Sequence, residues 1–459
     1  MLLSDKRLTI CARCVAGLAQ ACLMLAAVSN SWAESSGWRN DGSGTFPQAA
    51  PPTTWSKESN VVWKVKMPGQ SIASPVVAAG KVFTLAHPAA LLCLDASDGK
   101  IVWQKEHDYP GVLGEKLGKK VLADLAQAEE VRKARETLQR EYDEARKEEA
   151  DPEVVKPKFE PRIQALEKQY EELTAYPPIP DGMPGNTAST PVSDGKTVWA
   201  VFGTGIVSAH GLDGSRRWAR FVANPRERHS ASPLLVGDLL IVDLHGLMAL
   251  RASTGETVWQ AKTNSRAGTV MATELGGLQL LVTPGGEVVN AADGIVLAKD
   301  LFQLNYTSPL IHQDVIYAIE SGSSKAIRLF VQDGQLRHQL LWEKEAARDD
   351  RLGSPVWHEG LLYTVTGKGI IDVYDAETGE TVYKRRLALR DGRLDPSLAL
   401  AGGTLFVSTN RGTTLLVEPG REFKSLGQNE LQEEFSSSPT FDGNRVYIRT
   451  SENLYCLGE

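Results

Sequence analysis

Cysteine is scarce in this 459-residue chain: there are five, and Cys11, Cys14 and Cys22 fall within the opening stretch. Only Cys93 and Cys456 lie beyond it, no two cysteines are adjacent, and no Cys-x-x-Cys-His pattern occurs. A disulfide-built scaffold, a bridge between neighbouring cysteines and a covalently attached haem are therefore excluded. The eight histidines form no His-x-x-x-His and no Cys/His cluster, so no motif with metal-ligand spacing stands out. Basic excess is missing too, with 50 Lys and Arg against 57 Asp and Glu. That balance argues against a nucleic-acid binder or a protein held on anionic lipid. After the first residues no apolar run approaches the roughly 20 residues of a membrane span.

What the chain does have is punctuation. Its 41 glycines and 23 prolines, with 42% hydrophobic and 23% charged residues, point to a folded protein with many turns. Lys6, Arg7 and Arg13 precede an apolar stretch from Cys14 to Val28, and Ser31-Trp32-Ala33 offers a small-x-small cleavage site before Glu34. This pattern predicts a secretory leader over residues 1–33, a periplasmic or secreted mature chain over 34–459, and no integral membrane span once the leader is gone. An uncleaved leader would act as an N-terminal anchor. Cys22 lies inside the apolar run rather than at its end, unlike a lipoprotein cysteine.

Self-similarity is the strongest signal. Ser74-Pro75 opens a unit with a turn, two apolar strands, an Asp/Ser-x-x-Gly turn and a tryptophan strand, and Ser232-Pro233 opens the same order of parts. Matching openings stand at Thr190-Pro191, Ser308-Pro309, Ser354-Pro355, Asp395-Pro396 and Ser438-Pro439, and a degenerate copy fills residues 271–300. The spacing of about 42 residues and the strand content predict an all-β, eight-bladed β-propeller. The last unit stops after Tyr455 without its outer strand, and the segment around Trp63 is the expected replacement. Trp63, Trp103, Trp218, Trp259 and Trp342 recur at one place in the unit and are expected to pack blade against blade, with Tyr383 substituting in the sixth. Cys93 and Cys456 share a small-residue position with Ala209, Ala249 and Val373; a buried thiol and a disulfide are the two readings.

The segments CLDASDGKIVW, AHGLDGSRRW and ALRASTGETVW resemble the tryptophan-docking pattern of the pyrroloquinoline-quinone-type propeller repeat. The resemblance covers nearly the whole mature chain. It implies eight blades in an exported protein of the quinoprotein alcohol dehydrogenase-like superfamily, which also holds the propeller lipoprotein of the outer-membrane β-barrel assembly machinery. An active dehydrogenase of that type would present a catalytic Asp, a Glu/Asn pair for calcium and often an adjacent cysteine pair. The last is absent, and the acidic residues map onto no such motif.

Between the first two openings the chain runs to nearly three repeat lengths. Residues 119–181 contain no glycine and are rich in Ala, Glu, Lys, Arg and Leu. Val121, Leu125, Ala128, Val131, Leu138 and Tyr142 make one apolar stripe. Asp151-Pro152 breaks it, and Pro161 is expected to open a second helix carrying Ile163, Leu166, Tyr170 and Leu173. A helical hairpin inserted over residues 112–180 follows, either self-packed or offering a coiled coil to a partner. As a single excursion, Lys119–Tyr176 is expected to be removable without loss of the propeller.

In such a ring the segments leading into each innermost strand and the turns between second and third strands reach one face. Asn186, Arg228, His229, His245, Asn305, Arg351, Lys368, Arg393 and Arg411 are the candidate ligand or partner residues there. Arginine forks suit carboxylate, phosphate or acidic segments. Three readings stay open. One is a non-catalytic scaffold binding protein partners, such as outer-membrane or envelope assembly components, with no cofactor. The second is a dehydrogenase holding a quinone and calcium, with Asp349, Asp350, Asp391, Asp395 or Glu434 as metal candidates. The third is a carbohydrate- or small-ligand-binding module.

Overall fold

The computed structural model describes residues 36–148, 151–179, 185–223, 229–264, 267–345, 353–389 and 391–458. The leader at 1–33 and the candidates Arg228, Arg351, Asp349 and Asp350 lie outside the described residues.

Eight antiparallel sheets follow one another around a ring, over residues 76–106, 192–221, 234–261, 271–298, 310–345, 356–386, 399–430 and 440–457. Each is a four-stranded blade. Second and third strands such as Lys81–Ala86 and Ala90–Asp95 are covered by blades on both sides, so they read as continuous apolar runs. Outer strands such as Ile101–Glu106 bury one face only and alternate. The eighth blade takes its outer strand from the other end of the chain: Val61–Lys66 pairs antiparallel with Asn453–Leu457, with Trp63 opposite Cys456. Ring closure thus follows the expected course and leaves no open sheet at the junction of the termini.

The residue opening each blade has a definite task. Ser74 N–H donates to Thr190 Oγ1, and the same bond runs on through Ser232, Thr269, Ser308, Ser354, Ser397 and Ser438 back to Ser74, at 2.8–3.1 Å. All eight residues are buried. A hydroxyl oxygen is what the position requires, because it satisfies a buried amide of the preceding blade. This corrects the seventh opening, which is Ser397 rather than Asp395-Pro396, and places the degenerate fourth at Thr269.

Tryptophans lock the outer seams. The Nε1–H of Trp63, Trp103, Trp218, Trp259 and Trp342 donates to the carbonyl of Ala96, Leu212, Ala252, Ala291 and Ala376 of the next blade, at 2.8–3.0 Å. Each ring lies flat on a turn glycine; a Cβ at Gly294 (φ +76°) would stand 2.6 Å from the Trp259 ring. The Asp/Ser-x-x-Gly signal therefore marks a docking floor. Cys93 and Cys456 lie in this layer as free, buried thiols rather than as a bridge.

The insertion comprises α1 (Tyr109–Leu113), α2 (Glu115–Glu148) and α3 (Pro152–Leu173). At 1.5 Å per residue, α2 is about 50 Å long. The second long helix starts at Pro152, not Pro161: Asp151 caps it by accepting from Glu153 N–H at 3.0 Å, and proline suits the first turn. Pro157 and Pro161 lie on its exposed side, where freed carbonyls can meet water, while Val155 and Ile163 bury against Leu138 and Tyr142. The hairpin is rooted more deeply than its sequence suggests, because Val121, Leu125 and Tyr176 share a core with Phe202, Ile206 and Phe221 of the second blade. No helix among the described residues is long and apolar enough to cross a membrane.

Candidate functional site

Each innermost strand leaves the face bearing the inter-blade segments and ends in a turn on the opposite face. We call these the linker face and the far face. The helical insertion rises from the linker face, since it lies between two blades.

Among the described residues the linker-face candidates do not gather into one basic surface. Asn186 is fully buried, donating to Pro88 O at 2.6 Å and accepting from Thr204 N–H at 2.7 Å. His229 is buried with Nε2 2.9 Å from Asp243 O. Asn305 is half-buried, and its N–H donates to the buried Glu320 at 2.7 Å. His245, Lys368, Arg393 and Arg411 are exposed. Arg393 pairs with Asp395 at 3.3 Å, Asp395 also accepts from Asn410, and Arg411 pairs with Glu434. Asp391, Arg411 and Glu434 line one open hollow together with Glu433. The arginines there face carboxylates of their own chain.

Glu433 has a structural task in that hollow. It accepts from Lys64 at 2.7 Å, Tyr455 at 2.5 Å, Thr450 at 2.7 Å and Asn453 at 2.9 Å, tying the N-terminal strand to the eighth blade. Burial would raise its pKa, but the four donors outweigh it and hold the carboxyl at about 2. Arg449, nearby in sequence, is wholly buried and donates to the carbonyls of Gly69, Thr450 and Asn453; burial lowers it to about 10. Between the first two blades His107 and His210 meet Nε2 to Nε2 at 3.0 Å, and burial lowers them to about 3 and about 4. Both are neutral rings sealing an inter-blade seam.

The axial channel holds what sequence reasoning missed. Residues 36–46 fold back on themselves inside it. Ser36 pairs with Ser193 at the far end of the second blade's innermost strand, by two 2.8 Å bonds. Trp38 lines a small cavity of about 30 Å³ together with Val192, Pro233, Leu234 and Met271. The chain then reverses through Arg39, Asn40, Gly42 and Gly44, all at positive φ. Thr45–Phe46 pairs in parallel with Leu400–Ala401 on the channel side of the seventh blade. Ala50 N–H then reaches Gly443 O at 2.8 Å, in the turn that follows the eighth blade's innermost strand on the far face. The segment therefore enters and leaves by the far face.

At its apex Arg39 is buried, donating to Pro355 O at 2.7 Å and Leu398 O at 3.0 Å. It also donates to Gly42 O at 3.4 Å and Ser43 O at 3.3 Å within its own segment; among the described residues no carboxylate of another element pairs with it and its Nε–H finds no acceptor, and burial, partly opposed by Asp41, lowers its pKa to about 9. Phe46 completes the anchoring against Phe441, with ring centroids 4.9 Å apart. The only sequence signal for this arrangement is the glycine spacing of Gly37, Gly42 and Gly44, which looks like any loop.

With the geometry in hand, comparison with known proteins places it. The family described as outer membrane protein assembly factor BamB matches residues 54–128, 245–418 and 367–457. Among solved structures, BamB from Moraxella catarrhalis superposes with a TM-score of 0.55 at 13% identity, covering 87% of this chain and 97% of that one. A europium-containing methanol dehydrogenase gives 0.58 at 12% identity, covering 92% and 98%. The quinohemoprotein alcohol dehydrogenase from Comamonas testosteroni gives 0.55 at 11%, covering 92% and 80%. At these identities the likeness is one of fold. No curated protein matches the sequence significantly.

Proposed function

The chain belongs to the outer membrane protein assembly factor BamB family, whose match spans more than half of it, and from that premise we propose that it is an exported, non-catalytic propeller that binds protein partners at the cell envelope. The observation that carries this reading is the filled channel: residues 36–46 of the same chain lie where an open propeller would offer a ligand its deepest concavity. While that segment is seated, binding surface is left on the linker face and on the inserted hairpin, whose flanks are charged and laced with pairs such as Arg132–Glu136 and Lys120–Asp124 at 2.5 Å.

A calcium-bound quinone does not fit the described residues. No three acidic, histidine or cysteine side chains among them gather as metal ligands. Two buried carboxylates of the linker face are engaged: Glu320 takes the amides of Asn305 and Ser321, and Glu287 takes the amide of Asn264 and the hydroxyl of Thr283. No catalytic step is derived through such a group. Titration of the purified mature chain with the quinone and calcium, followed by dye-coupled assays on simple alcohols and aldoses, is expected to give neither heat nor turnover. Photo-crosslinkers at Tyr306, Lys368 and Gln139 in the intact envelope are expected to yield discrete adducts with outer-membrane assembly components. Stoichiometric quinone binding with turnover overturns the reading.

A further inference from the structure

We propose that residues 36–46 are a removable plug, and that the channel they fill is a binding site for an extended, arginine-bearing peptide entering from the far face. The ring does not depend on the plug for closure. Its hydroxyl circuit joins all eight blades without a plug residue, and its terminal junction is made by Val61–Lys66. The plug touches six blades, but its polar anchors are few: the Ser36–Ser193 bridge, the two-residue parallel ladder, and one guanidinium on two carbonyls.

The anchor at the apex is of an unusual kind for a permanent core. Of its partners, only the Pro355 and Leu398 carbonyls belong to the ring, while the Gly42 and Ser43 carbonyls, the Trp38 face and Asp41 travel with it, and carbonyl dipoles offset only part of the desolvation cost. An arginine that can return to water recovers its hydration, so its burial favours leaving as much as staying. What remains after departure has the parts of a peptide site. The channel-side edge at Leu400–Ala401 offers ladder groups for strand addition, the Pro355 and Leu398 carbonyls select a guanidinium, and the apolar wall at Val192, Pro233, Leu234 and Met271 borders the cavity that Trp38 also lines. The chain's own segment supplies all three complements.

Two measurements on the full mature protein test this. Under native conditions the amides of Ser193 and Leu400, which bond the plug's Ser36 and Gly44 carbonyls, are expected to exchange with deuterium at least about tenfold faster than those of Val407 and Leu416 in the seventh blade. Exchange of all four only through global unfolding overturns the proposal. In the second, Arg39→Glu sets a carboxylate against the two carbonyls and is expected to free the channel while the ring stays cooperatively folded. A labelled synthetic peptide with the sequence of residues 36–49 should then bind that variant one to one, and the same peptide with Glu at the arginine should not. Failure of the variant to bind the first peptide, binding of both peptides alike, or loss of the cooperative fold overturns it. None of these readouts depends on the envelope role.

Discussion

Replacing Ser354 by alanine isolates one link of the hydroxyl circuit. The Ser354 Oγ accepts the Ser308 N–H at 3.1 Å, and both residues are 2% exposed. Alanine removes one atom, too little to admit a water, so the Ser308 amide is left buried without an acceptor. An orphaned buried donor costs about 1–3 kcal/mol, whereas the lost packing of a single oxygen is a minor addition. The amide of Ser354 itself keeps its bond to Ser397 at 3.0 Å, so the damage stays at one link. Threonine retains the oxygen, and Thr190 and Thr269 already serve in the circuit. Urea unfolding followed by tryptophan fluorescence should show Ser354→Ala less stable by about 1–3 kcal/mol with an unchanged slope, and Ser354→Thr within about 1 kcal/mol of the parent. A loss below about 0.5 kcal/mol for alanine, or equal losses for both variants, would refute the argument that the oxygen is what the position selects.

Gly294→Ala should destabilise by at least about 1–3 kcal/mol, because it combines a positive φ with a methyl group driven into the Trp259 ring; thermal unfolding reads this out. The Glu433 carboxylate, held at about 2 against an ordinary 4.5, contributes stability that is fully present above the unfolded value and lost as pH falls from about 4.5 through about 2. Glu433→Gln should be less stable at neutral pH and flatter across that window. Burial pushes the thiols of Cys93 and Cys456 up to about 12 and about 11, so iodoacetamide at pH 8 should label them only after unfolding. Removing residues 133–169 behind a short linker should leave the propeller's melting temperature unchanged, whereas removing 119–176 should lower it, because only the longer deletion takes Val121, Leu125 and Tyr176 from the shared core.

The propeller was legible because its repeat writes the same local chemistry eight times: a hydroxyl to catch an amide, a glycine to lie under an indole, a tryptophan to cover it. Where one element of the unit changed, the reading slipped. At the seventh blade the proline of Asp395-Pro396 drew attention from Ser397, because proline is conspicuous in a sequence and a hydrogen-bond acceptor is not. Proline also misplaced the start of α3, where docking of Val155 and Ile163 sustains helix through two ring-bearing positions. The linker face was the weaker part. Arg393 and Asp395 are two residues apart and their pairing could have been foreseen, but Arg411 and Glu434 meet only because the segment leaving the seventh blade folds back over that blade's own turn. The plug left only a glycine spacing common to loops, since a segment with one strand pair on each side of a turn has no period to detect.

The marriage of both termini in the eighth blade sets an order of events. Synthesis delivers Val61–Lys66 before the strands of the other seven blades and Asn453–Leu457 after them. Seven sheets can form as the chain emerges, yet throughout that time the first strand has no ladder to join, and its backbone groups stand bare. The earlier-made strand thus waits for the later one, and anything that shields solitary strands from one another, a chaperone or simple dilution, acts during that interval and not afterwards.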